Sequence, residues 1–563
     1  MRPMWLMIAG AVVAVGLAAL GGPGAGAATP EFEEAPCAMA PPDGVPAETM
    51  RCGYVTVPEN RAKQSGRQVR LAVAVLEARS QPKREPVLYL SGGPGAPALD
   101  SDLYGFGAAR VRDSFPDRDV VFYDQRGTGL STPDMRCPET ARLTVDNLTH
   151  GWTRDEARAA GDAAIRACIE RLVASGIDLD HYSSADSGKD IADVMSALGY
   201  ETFNLYGVSY GTRLALTVMR DHPERISSVV LDSVYPVSVD LWMGQGRSFM
   251  RSLEELLDGC AADAECHAAY PDLEETYWNL VNRANAEPIQ VTIEDVDGTP
   301  LELLVDGDAI ITGTFTAFYD AGLIPLLPFA ADEIARGNTA ILTSLAQQLV
   351  FSFSSIADGM HAAVNCNEEI PFFTAASQAS LTAGVRREVL DAALGIFAPE
   401  DLELALDQCD DWDTPAPAAY ENAPVESAIP TLVLTGEFDP ITPPSYGTLA
   451  AETLSNSYSF EFPSTGHAVI FSQWDCAAPL VAAFLDDPVN APDGACVGRI
   501  PPPDFVVAAP EPEPTPTTGA GVIAPPDTGD GAAGGGPGAA LLLLALGACG
   551  LAATAVGLRR VMK

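Results

Sequence analysis

Several short apolar runs in this chain read as strands buried on both faces, each ending in a turn rich in Gly, Ser or Asp. They are Pro86-Val87-Leu88-Tyr89-Leu90, the run opening at Val120, Phe203-Asn204-Leu205-Tyr206, Val229-Val230-Leu231 and Thr431-Leu432-Val433-Leu434-Thr435. Tyr458-Ser459-Phe460-Glu461-Phe462 adds a later strand, and Thr212 to Met219 has the spacing of an amphipathic helix. The fold class expected is α/β, with one core interrupted by a large insertion. Between Asp232 and Ile429 lie roughly two hundred residues, far more than one strand-to-strand connection needs. Phe249 to Ala269, Thr276 to Ala286 and Ala330 to Leu349 show helical spacing inside it, so the insertion is expected to be a mostly helical cap.

The two ends differ from this body. Arg2, the apolar run Met4 to Leu20 and the small residues Ala25-Gly26-Ala27 predict a secretion signal over 1–28. The core is then expected over 29–237 and 424–500, with the cap over 238–423. After Ile500 the composition turns to Pro, Gly, Ala and Thr, predicting a linker over 501–538 that buries no core. An apolar run over 539–558 is long enough to span a bilayer, and the basic tail 559–563 predicts an extracellular enzyme domain. Pro525-Pro526-Asp527-Thr528-Gly529, the apolar run and the basic end together resemble a sortase signal, with Pro525 where leucine is usual. Anchoring is therefore expected either in the membrane or on the cell wall.

Composition narrows the function. A net charge of −43 excludes nucleic-acid partners, because phosphate contacts require a basic surface. Of 11 cysteines, Cys549 lies in the terminal apolar run and the other ten lie in the exported part. Exported thiols oxidise, and neighbour pairing is expected: 37–52, 137–168, 260–266, 366–409 and 476–496. No C-x-x-C suggests zinc, and no cysteine occupies a nucleophile turn.

The candidate chemistry begins at Gly207-Val208-Ser209-Tyr210-Gly211, set where a strand becomes a helix. G-x-S-x-G in that context resembles the nucleophile elbow of the α/β-hydrolases, which need an acid and then a histidine later in the chain. Among six histidines, His467 alone follows a late strand in a glycine-kinked loop, Ser464-Thr465-Gly466-His467-Ala468, and is the candidate base. His222 reads as a helix cap. Asp439, in the loop after the Thr431 run, is the candidate acid, with Glu437 and Asp232 as competitors. Ser91-Gly92-Gly93-Pro94-Gly95 follows a strand where an oxyanion donor is expected, so Gly93 and Tyr210 N–H groups are the candidate pair. A phosphate loop is discounted, since no G-K-[ST] follows. Asp124 and Arg126 are expected to brace loops. No metal and no cofactor is called for.

In order, G-G-P-G, D-Q-R-G-T-G-L-S, G-V-S-Y-G, G-E-F-D-P-I-T-P and G-H-A resemble the proline iminopeptidase family, and within it the secreted tripeptidyl-aminopeptidase-like branch. The resemblance runs from about Cys37 to Cys496. It implies a serine exopeptidase taking di- or tripeptides from short peptides through an acyl-enzyme of Ser209, with Asp439 and His467. Ser91 stands where proline iminopeptidases usually have histidine, which favours the di- or tripeptidyl reading. Carboxylesterase or lipase activity on the same scaffold stays open, as does a non-catalytic binding protein. Glu368 and Glu369 are the candidate anchors for the substrate amine.

Overall fold

The computed structural model describes residues 30–42, 44–103, 108–294, 298–349, 356–392, 399–412 and 417–508. The expected secretion signal, residues 509–538 of the linker, the 539–558 run and the basic tail lie outside the described residues. The first linker residues do not stay clear of the core as expected: Phe505 is buried in the apolar cluster of the cap, and Val506 O accepts from Tyr270 Oη at 2.9 Å. Among the described residues no helix is long and apolar enough to cross a membrane.

Nine strands form the central sheet: β1 (Phe32–Ala35), β2 (Met50–Pro58), β3 (Gln68–Leu76), β4 (Val87–Leu90), β5 (Val120–Tyr123), β6 (Phe203–Val208), β7 (Ile226–Asp232), β10 (Thr431–Gly436) and β11 (Ser457–Phe462). Their order is β1-β2-β3-β5-β4-β6-β7-β10-β11. The first four pair antiparallel, and every neighbouring pair from β5 to β11 is parallel. The parallel strands are apolar without alternation because helices cover both faces. Thus β4, β5, β6 and β10 are buried along their whole length. Their side chains divide between two cores: Leu205, Leu231 and Val433 on one face, Tyr206, Val230 and Leu434 on the other.

Between β7 and β10 the chain is mostly helical and builds a third apolar cluster. Two of its expected helices are broken. The Phe249–Ala269 stretch is two helices, Leu241–Ala262 and Ala264–Ala269, because Asp263 turns out of the helix and accepts hydrogen bonds from Glu265 and Cys266 N–H. The Ala330–Leu349 stretch splits into Leu327–Ala335 and Ala340–Leu349 at Gly337, whose φ of 93° no helix accepts. The cap also carries an antiparallel hairpin, β8 (Ile289–Glu294) with β9 (Pro300–Val305). The Ile289-Gln290-Val291-Thr292-Ile293-Glu294 alternation that makes it is the period-2 signal of a half-buried strand.

Among the described residues five disulfides join ten cysteines as nearest neighbours: Cys37–Cys52, Cys137–Cys168, Cys260–Cys266, Cys366–Cys409 and Cys476–Cys496. The Cys366–Cys409 bridge staples the cap helix Asp358–Glu368 to the helix Pro399–Trp412.

Candidate active site

The site lies at the carboxyl ends of the parallel strands, where each strand hands over to a loop or helix. At the end of β6, Ser209 has φ 57° and ψ −125°, a left-handed conformation rare for serine, and the helix Tyr210–Asp221 starts at the next residue. The flanking glycines permit this turn. A Cβ on Gly207 would stand 2.4 Å from Gly211 O, and one on Gly211 would stand 2.0 Å from Leu90 O. Strand, turn and helix are thus packed backbone to backbone.

The loop after β4 lies beside the serine. A Cβ on Gly92 would approach Ser209 Cβ to 3.0 Å and its Oγ to 3.5 Å. Gly93, at φ 106°, adopts a conformation that favours glycine. Gln125 Nε2 donates to Ser91 O at 3.1 Å, and Ser91 Oγ donates to the half-buried Asp102. Burial pushes the Asp102 carboxyl up to about 6, against hydrogen bonds from Ser91 and Tyr89. On its far side the loop meets the cap: Ala357 N–H donates to Gly95 O at 3.0 Å, and His361 Nδ1 lies 3.1 Å from Pro94 O.

Asp439 and His467 meet after β10 and β11. Asp439 Oδ2 is 2.8 Å from His467 Nδ1, with the aspartate fully buried and the histidine 7 % exposed. The same carboxylate accepts from Ile441 N–H at 3.0 Å, Thr442 N–H at 2.8 Å and Thr442 Oγ1 at 2.7 Å. Burial opposes ionisation of Asp439, but the His467 charge and these hydrogen bonds outweigh it and hold the carboxyl below its ordinary range. Such a carboxylate fixes the imidazole tautomer and stabilises the imidazolium. Thr442 Oγ1 is also 3.2 Å from His467 Nδ1, and the Tyr319 ring packs 4.7 Å from the imidazole.

The competing acids have other tasks. Glu437 accepts from Ser464 N–H at 2.7 Å and shapes the histidine loop. Asp232 accepts from Val469 and Ile470 N–H, beyond His467. Asp124 braces the residues after the β4 loop through Ala98 and Leu99 N–H, and Arg126 forms a buried bidentate pair with Asp190. His222 is the carboxyl-terminal cap of the elbow helix.

Glu368 and Glu369 occupy different environments. Glu368 pairs with Arg213 of the elbow helix at 3.3 Å and accepts from Ser184 N–H, so its charge is already neutralised. Arg213 Nη2 also donates to Glu368 O at 3.0 Å. Glu369 is 2 % exposed, accepts from Trp242 N–H at 3.3 Å, and has an Oε2 without a hydrogen-bond partner. Burial pushes it up to about 7, against the pull of Arg213.

Above the sheet a cavity of about 720 Å³ opens, walled mainly by apolar cap side chains. Trp242, His361, Asn365 and Ala317 line it; the triad candidates do not. His361 ties this wall to the β4 loop, while Phe318 and Tyr319, next to Ala317, pack on Phe438 and His467. Among the described residues one trio offers metal-ligand atoms together, Cys137, Glu139 and Cys168, and its sulfurs are consumed in a disulfide.

The site has contacts that residue order alone does not announce. Thr442 is signalled only by Asp439-Pro440-Ile441-Thr442, the spacing of an aspartate that bonds its own following turn. Tyr319, Trp242 and His361 carry no local signal, since they reach the site through cap packing.

Comparisons with known proteins agree with this fold. A family model described as "alpha/beta hydrolase fold" matches residues 85–263, and one described as "TAP-like protein" matches 397–496. The chain is similar to serine protease Hip1 of Mycobacterium tuberculosis, with 25% identity over 87% of this chain and 96% of that protein. It is also similar to a tripeptidyl aminopeptidase of Streptomyces lividans, with 27% identity over 57% of this chain and 60% of that one. A protein named carboxylesterase B from M. tuberculosis is 26% identical over 83% of this chain and 89% of its own length. These matches are consistent with a tripeptidyl-aminopeptidase-like protein, and the chain is a serine hydrolase of the α/β-hydrolase fold.

Proposed function

We propose that the chain is an extracellular, surface-anchored serine aminopeptidase that removes di- or tripeptides from the N-termini of short peptides. The observation that carries this reading is the buried Asp439–His467 pair at the ends of β10 and β11, on the same sheet edge as the Ser209 turn. In this mechanism Ser209 Oγ attacks the scissile carbonyl while His467 Nε2 takes its proton. Asp439 holds the Nδ1–H and stays ionised. The Gly93 and Tyr210 N–H groups take the oxyanion, helped by the positive end of the helix starting at Tyr210. His467 returns the proton to the leaving amine, and water then repeats the sequence to release the N-terminal fragment.

The cap cavity and Glu369 support an exopeptidase. The cavity of about 720 Å³ is lined by neither the triad candidates nor Glu369, but its wall reaches Trp242 and Ile370 beside Glu369, and in this reading it takes the part of a short peptide that lies beyond the scissile bond. The unpartnered Oε2 of Glu369 offers a carboxylate for the substrate ammonium, whereas Glu368 is committed to Arg213 and contributes by holding the cap on the elbow helix. The relative named tripeptidyl aminopeptidase points the same way. Export is supported by the amino-terminal apolar run and the five disulfides. The 539–558 run, alone or as part of a sortase-like signal, would provide the surface anchor.

A second reading, a carboxylesterase, is favoured by the apolar walls of the cavity and by the relative named carboxylesterase B. The test is covalent labelling with a fluorophosphonate, peptide mapping of the adduct, and turnover of a peptide anilide against an acyl ester. Labelling at Ser209 with anilide turnover lost in Ser209→Ala supports the aminopeptidase. Labelling at Ser209 with ester turnover alone selects the esterase, and labelling at another serine removes both.

A further inference from the structure

Asp232 and Ser233, at the end of β7, touch the serine turn, the acid-bearing strand and the histidine loop at once. The Asp232 main-chain oxygen accepts from Ser209 N–H at 3.0 Å. Its carboxylate accepts from Val469 N–H at 2.8 Å through Oδ1, and from Ile470 N–H and Tyr206 Oη, both at 3.0 Å, through Oδ2. Ser233 Oγ accepts from Ala468 N–H at 2.8 Å, and Ser233 N–H donates to Leu434 O of β10 at 2.9 Å. Three consecutive N–H groups directly after His467 are therefore held by one dipeptide whose own backbone also holds Ser209.

We propose that Asp232, seconded by Ser233, is a positioning residue for the hydrolytic reaction: it fixes His467 against Ser209 and supplies a second negative charge to the imidazolium. This rests on the reading of Ser209, Asp439 and His467 as the catalytic triad.

Two features make the pair more than a loop staple. Ser209, Ser233 and Ala468 all have positive φ, at 57°, 58° and 63°, conformations that non-glycine residues keep only where surrounding contacts over-determine them. The bonds of Asp232 and Ser233 are those contacts, and they join all three residues. Second, Asp232 is fully buried, and the positive charge acting on it is His467 rather than an arginine or lysine. A buried carboxylate is costly without compensation, and burial does push Asp232 up to about 6, against the N–H donors, Tyr206 and His467. The charge gains its counterpart when His467 takes the Ser209 proton. The titratable groups around His467 are then Asp439 at Nδ1, Tyr319 against the ring and Asp232 below the loop, with Tyr206 bonded to Asp232.

The test uses the full chain with Asp232→Asn, Ser233→Ala and, in parallel, Ser209→Ala. Active sites are counted by fluorophosphonate burst, and kcat and KM are measured on an activated ester across about pH 5 to 9. Asparagine keeps the size but places an NH2 where an N–H must be accepted, and removes the charge. The expected result for Asp232→Asn is a roughly 10- to 100-fold fall in kcat per titrated site with KM within about two-fold, because only the transition state is affected. Its acid limb of kcat/KM moves to lower pH, since the imidazolium loses a neighbouring anion. Ser233→Ala lowers kcat several-fold and leaves the acid limb in place, because no charge is removed. A fall in melting temperature with unchanged kcat per titrated site and an unchanged acid limb would overturn the proposal. If Asp232→Asn yields no folded protein, an unchanged kcat per site in Ser233→Ala overturns it alone. Normal turnover by Ser209→Ala would instead dismiss the triad reading, whatever Asp232→Asn does.

Discussion

Thr442 shows how much one hydroxyl can matter beside the buried Asp439–His467 pair. Its Oγ1 donates to Asp439 Oδ2 at 2.7 Å and sits 3.2 Å from His467 Nδ1, so it restrains the carboxylate oxygen that meets the imidazole. Thr442→Val preserves the shape and removes a hydrogen bond to a charged group, a loss of about 1.5–3 kcal/mol. The expected outcome in steady-state assays is a fall of roughly 10- to 100-fold in kcat with KM little changed. Glu369 gives a prediction with the opposite sign from an ordinary paired carboxylate. Its folded pKa is raised to about 7, so the folded state binds the extra proton and stability falls as pH climbs from about 4.5 to 7. Glu369→Gln should flatten the thermal midpoint over that window, and should raise KM for free-amine peptides but not for esters. The strand-to-helix turn at Ser209 and the meeting of Asp439 with His467 were legible in the sequence, because each residue follows a strand-like run in the order that an elbow fold requires. Thr442 was half legible through its spacing from Asp439. Tyr319 and Trp242 were not, because nothing local tells which cap side chains reach a site made by distant strands.

At the scale of elements, close packing between backbones decides what is tolerated. Gly211 stands where a Cβ would lie 2.0 Å from Leu90 O, a contact with backbone that no side-chain rotation relieves. Gly211→Ala is expected to prevent accumulation of folded protein, read as loss of fluorophosphonate-reactive protein in the soluble fraction. The elbow helix is also the point where core and cap are joined, through Arg213 and Glu368, both almost completely buried. Glu368→Gln leaves the arginine charge poorly compensated, which costs about 3–5 kcal/mol. A lowered midpoint in denaturant titration checks this. The fully buried strands were visible as apolar runs, whereas the cap helices were placed with breaks missing. Asp263 and Gly337 end helices that their apolar spacing would have continued, since spacing reports burial and not the backbone conformation at one residue. The β8–β9 hairpin was lost to view for a similar reason, as six alternating residues amid long helical patterns carry a weak signal.

For the whole molecule, the disulfides and the cap set the working conditions. Each bridge joins sequence neighbours, so the loops closed are short. Cys366–Cys409, with a separation of 43, is the widest and by chain entropy contributes about 4 kcal/mol. Because that bridge anchors cap helices, mild reduction is expected to lower kcat/KM on peptides before global unfolding, followed by activity and circular dichroism together. The neighbour pairing was readable because ten of the cysteines fall into five close pairs along the chain. Which cap residues would meet the substrate was not readable, since the cavity is enclosed by several helices far apart in sequence. The central claim, a serine aminopeptidase acting from the free N-terminus, is tested most directly with the purified exported domain and one short peptide. The peptide is supplied with either a free or an acetylated amine, products are followed by mass spectrometry, and Ser209→Ala serves as control. Release of N-terminal di- or tripeptides from the free-amine peptide alone, absent in Ser209→Ala, is the predicted result. Equal cleavage of both peptides, or cleavage of neither beside brisk ester hydrolysis, would contradict it.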